Sequence, residues 1–299
     1  MKFYFLHNHY IPNSLTSDGI FVKSVVVPEF YPDLNSSYLG EPCHFNSVQS
    51  YVKYVRANNC HPSDTIYAIE NNRIIHPSQI KKTLRSYKQL GVKIIQLFCG
   101  TDNDYFTASQ GVTVRGKELL QTLCDMDFIL DLAHIPDKHI VSIAENYEGQ
   151  IIVSHCACSD LYLSNNLRSN SLTKQNIARL ANRVRLFGVS FLNDIISSNE
   201  NELDQGHILD DILAQVVLLV KTVGSDKVAF GPDFLDVGYF SRKFKTDLLF
   251  PDTLLTKEGL MSFANRMGAL LSSKEIERIT STNVERILFS SSYNSPIHK

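Results

Sequence analysis

FILDLAH (residues 128–134) and QIIVSH (residues 150–155) are two short apolar segments, each of which ends on a histidine, His134 and His155. Between them, residues 136–147 have the length and polarity of one surface helix, and Pro136 suits its first turn. The pattern is a strand–helix–strand unit with an imidazole at the carboxyl end of each strand. In parallel α/β folds, ligands and catalytic groups collect at those ends. Two histidines alone do not decide a function; the rest of the chain gives them their weight.

Outward from this unit, the same rhythm repeats. Apolar, β-rich runs at 2–6, 19–27, 64–69, 92–98, 185–191 and 227–230 join those at 128–132 and 151–153, making eight expected strands. Helical patterns fall over 47–57, 77–90, 114–124, 136–147, 173–182 and 208–223, with two more at 257–270 and 274–288. Gly91 and Gly224 stop two of these helices. Strand–helix alternation eight times over predicts an α/β fold, a single (β/α)8 barrel occupying residues 1–299 as one domain. A doubly wound sheet is the alternative, but no Gly-rich phosphate turn follows the first strand.

Composition narrows the function classes. The chain has 299 residues, 43% of them hydrophobic, and a formal net charge of -2. That balance, without blocks of like charge, points away from nucleic acid and anionic membrane surfaces. No run approaches the roughly 20 apolar residues of a membrane span, and residues 3–6 are too short for a signal-peptide core. Six cysteines without close regular pairing do not form a disulfide framework. Cys156 and Cys158 beside His155 offer a soft-metal alternative if both stay extended. The expectation is a cytoplasmic chain with a small-molecule or dipeptide substrate, no nucleic-acid or membrane partner, and a homodimer left open.

The strand ends carry metal-ligand chemistry. His7 and His9 follow the first strand, Glu70 the third, His134 the fifth, His155 the sixth and Asp233 the eighth. In an extended segment His7 and His9 point the same way. All six are hard or borderline ligands on one rim. Two divalent ions about 3.5–4 Å apart need a carboxylate bridge and further ligands on each side. Glu70 fits the bridge, His7 and His9 one ion, and His134 and His155 the other. Asp233 remains as proton acceptor or further ligand. Imidazoles outnumber carboxylates, so two zinc ions are the expected cofactors.

The residues also carry a family likeness. GVTVRGKELLQTLCDMDFILDLAH (111–134) resembles the GLT-x-x-G-…-DLSH segment of the membrane (renal) dipeptidase family of zinc dipeptidases, relatives of the amidohydrolases. QIIVSHCACSDL (150–161) resembles its FSHS segment, and SLTKQNIARLANRVRLFGVSF (171–191) its NLTDEQI…GVNF stretch. VGSDKVAFGPDF (223–234) is similar to its G-x-x-H/A-V-x-x-G-x-DFDG turn, and ITSTNVERIL (279–288) to its closing G-x-N-x-x-R-V. DGIFVKSVVVP (18–28) resembles an earlier strand. The resemblance implies a dipeptidase-type barrel with two zinc ions bridged by Glu70. His134 and His155 would hold one ion, His7 and residue 9 the other, and Asp233 would be the catalytic acid/base.

This chain also departs from the family pattern. His7-Asn8-His9 stands where the family has His-x-Asp, and Asn71 where it has glycine. Cys99 falls on the family's substrate-side histidine, and Arg168 is the nearest candidate for its substrate-binding arginine. DFDG reads Asp233-Phe234-Leu235-Asp236. The implied activity is cleavage of an amide bond in a dipeptide or similar small molecule. The alternatives are a non-peptide substrate such as a lactone or tailored metabolite, or a metal-binding homologue without turnover.

Overall fold

The structure, a computed structural model, describes residues 1–8, 21–26, 49, 52–53, 65–70, 75–161, 171–196, 205–234 and 251–289. Eight parallel strands among them form the barrel, with a short further strand at Ser171–Leu172 added to the end of the sixth: β1 (Lys2–Asn8), β2 (Phe21–Val26), β3 (Thr65–Ile69), β4 (Val92–Gln96), β5 (Ile129–Asp131), β6 (Ile151–Cys158), β7 (Val184–Val189) and β8 (Val228–Phe230). Each pairs with its chain neighbour, β6 pairs with β7, and β8 returns to β1, so the hydrogen-bonded ring closes. The barrel expected from the alternation of strands and helices is the observed fold. Among the described residues the α-helices of five residues or more are α1 (Ile80–Leu90), α2 (Val114–Asp125), α3 (Asp137–Asn146), α4 (Lys174–Leu180), α5 (Gln205–Val223), α6 (Lys257–Met267) and α7 (Ser273–Glu277). Of the helix expected over 47–57, only residues 49, 52 and 53 are described, and they are helical.

Local chemistry sets the element boundaries. Thr113, Thr173, Thr256 and Ser272 each accept a backbone N–H at the start of a helix, a contribution of about 1 kcal/mol per cap. His76 does the same through Nδ1 for the turn that leads into α1. Gly91, at φ 90, ends α1 with its N–H on the Lys88 and Tyr87 carbonyls, a conformation that favours glycine.

Alternation along the strands sorts side chains into two layers. Tyr4, Leu6, Ile66, Ala68, Ile94, Ile129, Ile152, Leu186 and Ala229 fill the barrel interior. Phe3, Phe5, Tyr67, Ile95, Leu130, Val153, Phe187 and Phe230 face outward against the helices, meeting Leu84, Leu119, Ile140, Ile177 and Ile212. Cys156 and Cys158 are both extended, as the soft-metal alternative required, but they belong to this outer apolar layer. Burial pushes the Cys156 thiol far up and the Cys158 thiol to about 11, and among the described residues neither belongs to a group of side chains placed to hold an ion.

The one long helix expected over 274–288 is broken. α7 gives way to wide π-type turns at Arg278–Thr282 and Glu285–Phe289. Asn283 is pulled in, donating to the Ser225 and Val228 carbonyls at 2.8 Å each. The widened turns send Val284, Ile287 and Leu288 into the base of the barrel interior. That packing overrides regular α-helical spacing. The amino-terminal end is thereby sealed, and chemistry is left to the opposite, carboxyl end. Among the described residues no helix is long and apolar enough to cross a membrane.

Candidate metal centre

Period-two alternation on β1 turns Tyr4 and Leu6 inward, so residue 8 would be the next to face the interior. The β1–β2 register slips between Phe5 and Asn8 instead, and His7 reaches the polar cluster at the mouth. β6 repeats the device. Its register against β7 runs from Phe187↔Val153 to Val189↔Cys156, three residues set against two. Such a bulge re-aims side chains at a barrel rim, and here it delivers both Ser154 and His155 to the centre. The strand expected to stop at residue 153 therefore continues through His155 to Cys158. Two glycines make room for it. A Cβ on Gly188 would stand 1.8 Å from the Ser154 carbonyl oxygen, and one on Gly231 1.9 Å from it.

His134 and Asp233 follow β5 and β8 in the left-handed region, at φ 65 and φ 60. Such backbone costs on the order of 1–3 kcal/mol and persists where surrounding structure enforces it. The Asp233 N–H donates to the His7 carbonyl at 3.1 Å, and Phe191 N–H donates to Pro232 at 3.2 Å. These two bonds hold the Gly231-Pro232-Asp233 turn between the ends of β1 and β7.

Five of the expected site residues meet. His134 Nε2 lies 3.1 Å from Glu70 Oε1, and His7 Nε2 lies 3.9 Å from the same oxygen. Asp233 places Oδ1 3.5 Å from His7 Nε2 and Oδ2 4.0 Å from His155 Nε2. His134 and His155 face one another, Nε2 to Nε2, at 3.1 Å. Cys99 joins at the edge: its sulfur, Glu70 and His134 offer donor atoms within 4.8 Å of one another, as do His7, Glu70 and His155. His9 and Arg168 lie outside the described residues.

Two residues to which the sequence reading gave no role complete the arrangement. Asp131, buried at the end of β5, accepts the Ala133 and Ser154 N–H groups at 3.0 and 2.9 Å. It also bonds the Ser154 hydroxyl. Ser154 Oγ in turn lies 3.2 Å from His7 Nδ1 and 3.0 Å from His155 Nδ1. A hydroxyl has one proton and two lone pairs. If its proton goes to Asp131, Ser154 can accept Nδ1–H from both imidazoles, which would leave both Nε2 lone pairs aimed at the centre. This fixing of tautomers is what metal-binding histidines require of their surroundings. The available signal was a carboxylate inside the apolar run FILDLAH, since burying one is costly without a purpose.

The electrostatics agree. Burial, opposed by the Ser154 and Ala133 hydrogen bonds, pushes the Asp131 carboxyl up to about 6. At His134, burial works against charge, but Cys99 and Glu70 outweigh it and hold the imidazole well above its ordinary pKa. The same neighbours, Glu70 above all, would favour a divalent cation there.

The donor set fits such an ion. Two donors bound at about 2.0–2.2 Å to a tetrahedral zinc lie about 3.3–3.6 Å apart, close to the 3.1 Å between His134 Nε2 and Glu70 Oε1. Glu70 stands within reach of imidazoles on both sides, as a bridging carboxylate would.

Comparison with known proteins places the chain among relatives. The family model described as membrane dipeptidase (peptidase family M19) matches residues 37–294. An uncharacterised dipeptidase of Schizosaccharomyces pombe is 22% identical over 68% of this chain and 48% of its own length. The dipeptidase tcpJ of Claviceps purpurea is 21% identical over 69% of this chain and 46% of its own length. The chain thus spans about half the length of the curated relatives it matches. A metallopeptidase from Rhodobacter sphaeroides, liganded with a phosphinate mimic of the dipeptide L-Ala-D-Ala, superposes with a TM-score of 0.70 at 14% identity, covering 95% of this chain and 97% of that one. An amidohydrolase from Burkholderia multivorans with bound zinc gives a TM-score of 0.55 at 11% identity, covering 93% and 87%. A probable 2-pyrone-4,6-dicarboxylic acid hydrolase from Acinetobacter baumannii gives 0.56 at 11% identity, covering 96% and 98%. At these identities the solved structures speak to the fold alone.

Proposed function

Because the chain belongs to the membrane dipeptidase family, peptidase family M19, we propose that it hydrolyses the amide bond of a dipeptide or similarly small compound. The observation that carries this reading is the Glu70 carboxylate standing between His7 and His134, with Asp233 3.5 Å from His7. Glu70, His7, His134 and His155 would hold two divalent ions, zinc foremost. When bound, such ions bring the pKa of water toward neutrality and polarise a carbonyl. Among the described residues, the rest falls to the chain's own groups.

Asp233 is the proton carrier. It sits at the mouth on a turn pinned to β1, and its two oxygens face His7 and His155. From there it takes the proton of the attacking water and returns it to the leaving amine, work worth roughly 10²–10⁴ in rate. Asp131 and Ser154 keep the His7 and His155 rings fixed while charge moves. Glu70, buried, supplies negative charge where the cations need it.

A second reading keeps the centre and changes the substrate. Cys99 occupies the position that the resemblance gives to a substrate-side histidine, so recognition on that side differs from the family pattern. The barrel is also shared with the probable 2-pyrone-4,6-dicarboxylic acid hydrolase, named for a substrate that is no peptide. Turnover of zinc-loaded protein on L,L-dipeptides, dipeptides with a D residue and lactones separates the two readings. The first expects release of free amino acids, abolished by chelation. Lactone opening with every dipeptide inert would establish the second instead.

A further inference from the structure

The potential ligands divide into two triads that share one carboxylate. His7, Glu70 and His155 form one, and Glu70, Cys99 and His134 the other, each with its donor atoms within 4.8 Å. Asp233 lies on the His7–His155 side. The second triad contains a sulfur. The sequence pairing of His134 with His155 as ligands of one ion left Cys99 facing the substrate, whereas the geometry seats it among the donors.

We propose that Cys99 is a metal ligand, its thiolate joining His134 and Glu70 to hold the second ion of the centre. The proposal rests on the binuclear reading above and changes what that reading assigns to this residue.

Cys99 is held where a ligand must be held. Gln96, buried at the end of β4, donates its amide to the Phe98 carbonyl at 2.8 Å. Asn103 donates to Leu97 O at 3.3 Å, and Thr101 N–H closes back on the Cys99 carbonyl at 2.7 Å. Gly100, at φ 65, makes that turn without strain. The sulfur is half-buried and stands against Glu70 and His134. Donors at about 2.0–2.3 Å from a tetrahedral zinc lie about 3.3–3.8 Å from one another, so a small contraction of this triad around an ion suffices.

Binding transfers the thiol proton to solvent as the S–metal bond forms, with no change of oxidation state. Two consequences follow. The sulfur makes this half of the centre selective for zinc over magnesium or manganese. A ligating Cys99 also cannot donate a hydrogen bond to a substrate carbonyl, so stabilisation of the developing oxyanion is left to the centre itself.

Cobalt(II) reports the bond directly. Chelator-stripped protein is titrated with cobalt and followed by absorption, alongside Cys99→Ser, which preserves size and the turn. Expected for the parent are visible ligand-field bands together with a near-ultraviolet sulfur-to-cobalt charge-transfer band. Cys99→Ser should lose the charge-transfer band, keep ligand-field absorption from the His7–His155 side, and bind its weaker zinc equivalent at least about tenfold less tightly, the scale that even outer-shell changes reach. Ligand-field bands without charge transfer in the parent, or a charge-transfer band unchanged in Cys99→Ser, would overturn the ligand role and leave the binuclear centre standing. Failure of the folded parent to take up cobalt at all would overturn both.

Discussion

Gly188→Ala tests the geometry behind the centre without touching any ligand. The new Cβ would stand 1.8 Å from the Ser154 carbonyl oxygen, and real contacts of this kind stay beyond 3.0 Å. The obstacle is backbone on a neighbouring strand, so no side chain can swing aside. β6 and β7 must separate where Ser190 N–H bonds Cys156 O at 3.2 Å. Overpacking costs about 1–3 kcal/mol, and each ladder bond strained or lost adds about 1 kcal/mol. A total of about 3 kcal/mol lowers the melting temperature by roughly 5 °C in a chain of this size. The displaced segment is the bulge that carries Ser154 and His155, so zinc affinity should fall with stability. Calorimetry of the stripped protein and zinc titration of the folded variant read the two effects. A variant that melts within a degree or two of the parent and binds zinc equally well would refute the claim that glycine there admits the bulge.

Asp233→Asn keeps the size of the side chain and its place in the turn, so metal content and melting temperature should hold. Its kcat on the best amide substrate should drop by roughly 10²–10⁴. Near-normal kcat would remove the proton-carrier role. Asp131 makes stability fall with pH. Its folded pKa of about 6 lies above the ordinary 3.8, so the fold favours the protonated form, and stability is lost as pH rises from about 4 through 6. The loss approaches about 3 kcal/mol at neutrality. Urea unfolding of stripped protein at pH 4.5 and 7 should show this component in the parent and its loss in Asp131→Asn; equal pH slopes for the two would contradict it.

The barrel was legible because its signal is repetitive. Eight β-rich runs alternate with amphipathic segments, and glycines or hydroxyl caps mark many of the boundaries. The rim was legible because His7, Glu70, His134, His155 and Asp233 each end or follow a strand. The means of their convergence was hidden. Strict alternation sends residue 8 of β1 inward, and only register slips on β1 and β6 bring in His7 and His155. A bulge depends on the neighbouring strands, here on Gly188 and Gly231, and leaves little local trace. Asp131 and Ser154 stood inside the two decisive segments, yet their shared hydrogen bonds appear only once β5 and β6 lie side by side. The regular pattern over 274–288 concealed a break, since the pull of Ser225 and Val228 on Asn283 is tertiary.

Zinc stoichiometry tests the central claim most directly. Stripped protein reloaded with zinc, desalted and subjected to elemental analysis should carry close to two ions per chain. Glu70→Gln should carry measurably fewer, because a neutral amide cannot offset two cations. Folded parent protein that retains no stoichiometric transition metal after reloading would contradict the account.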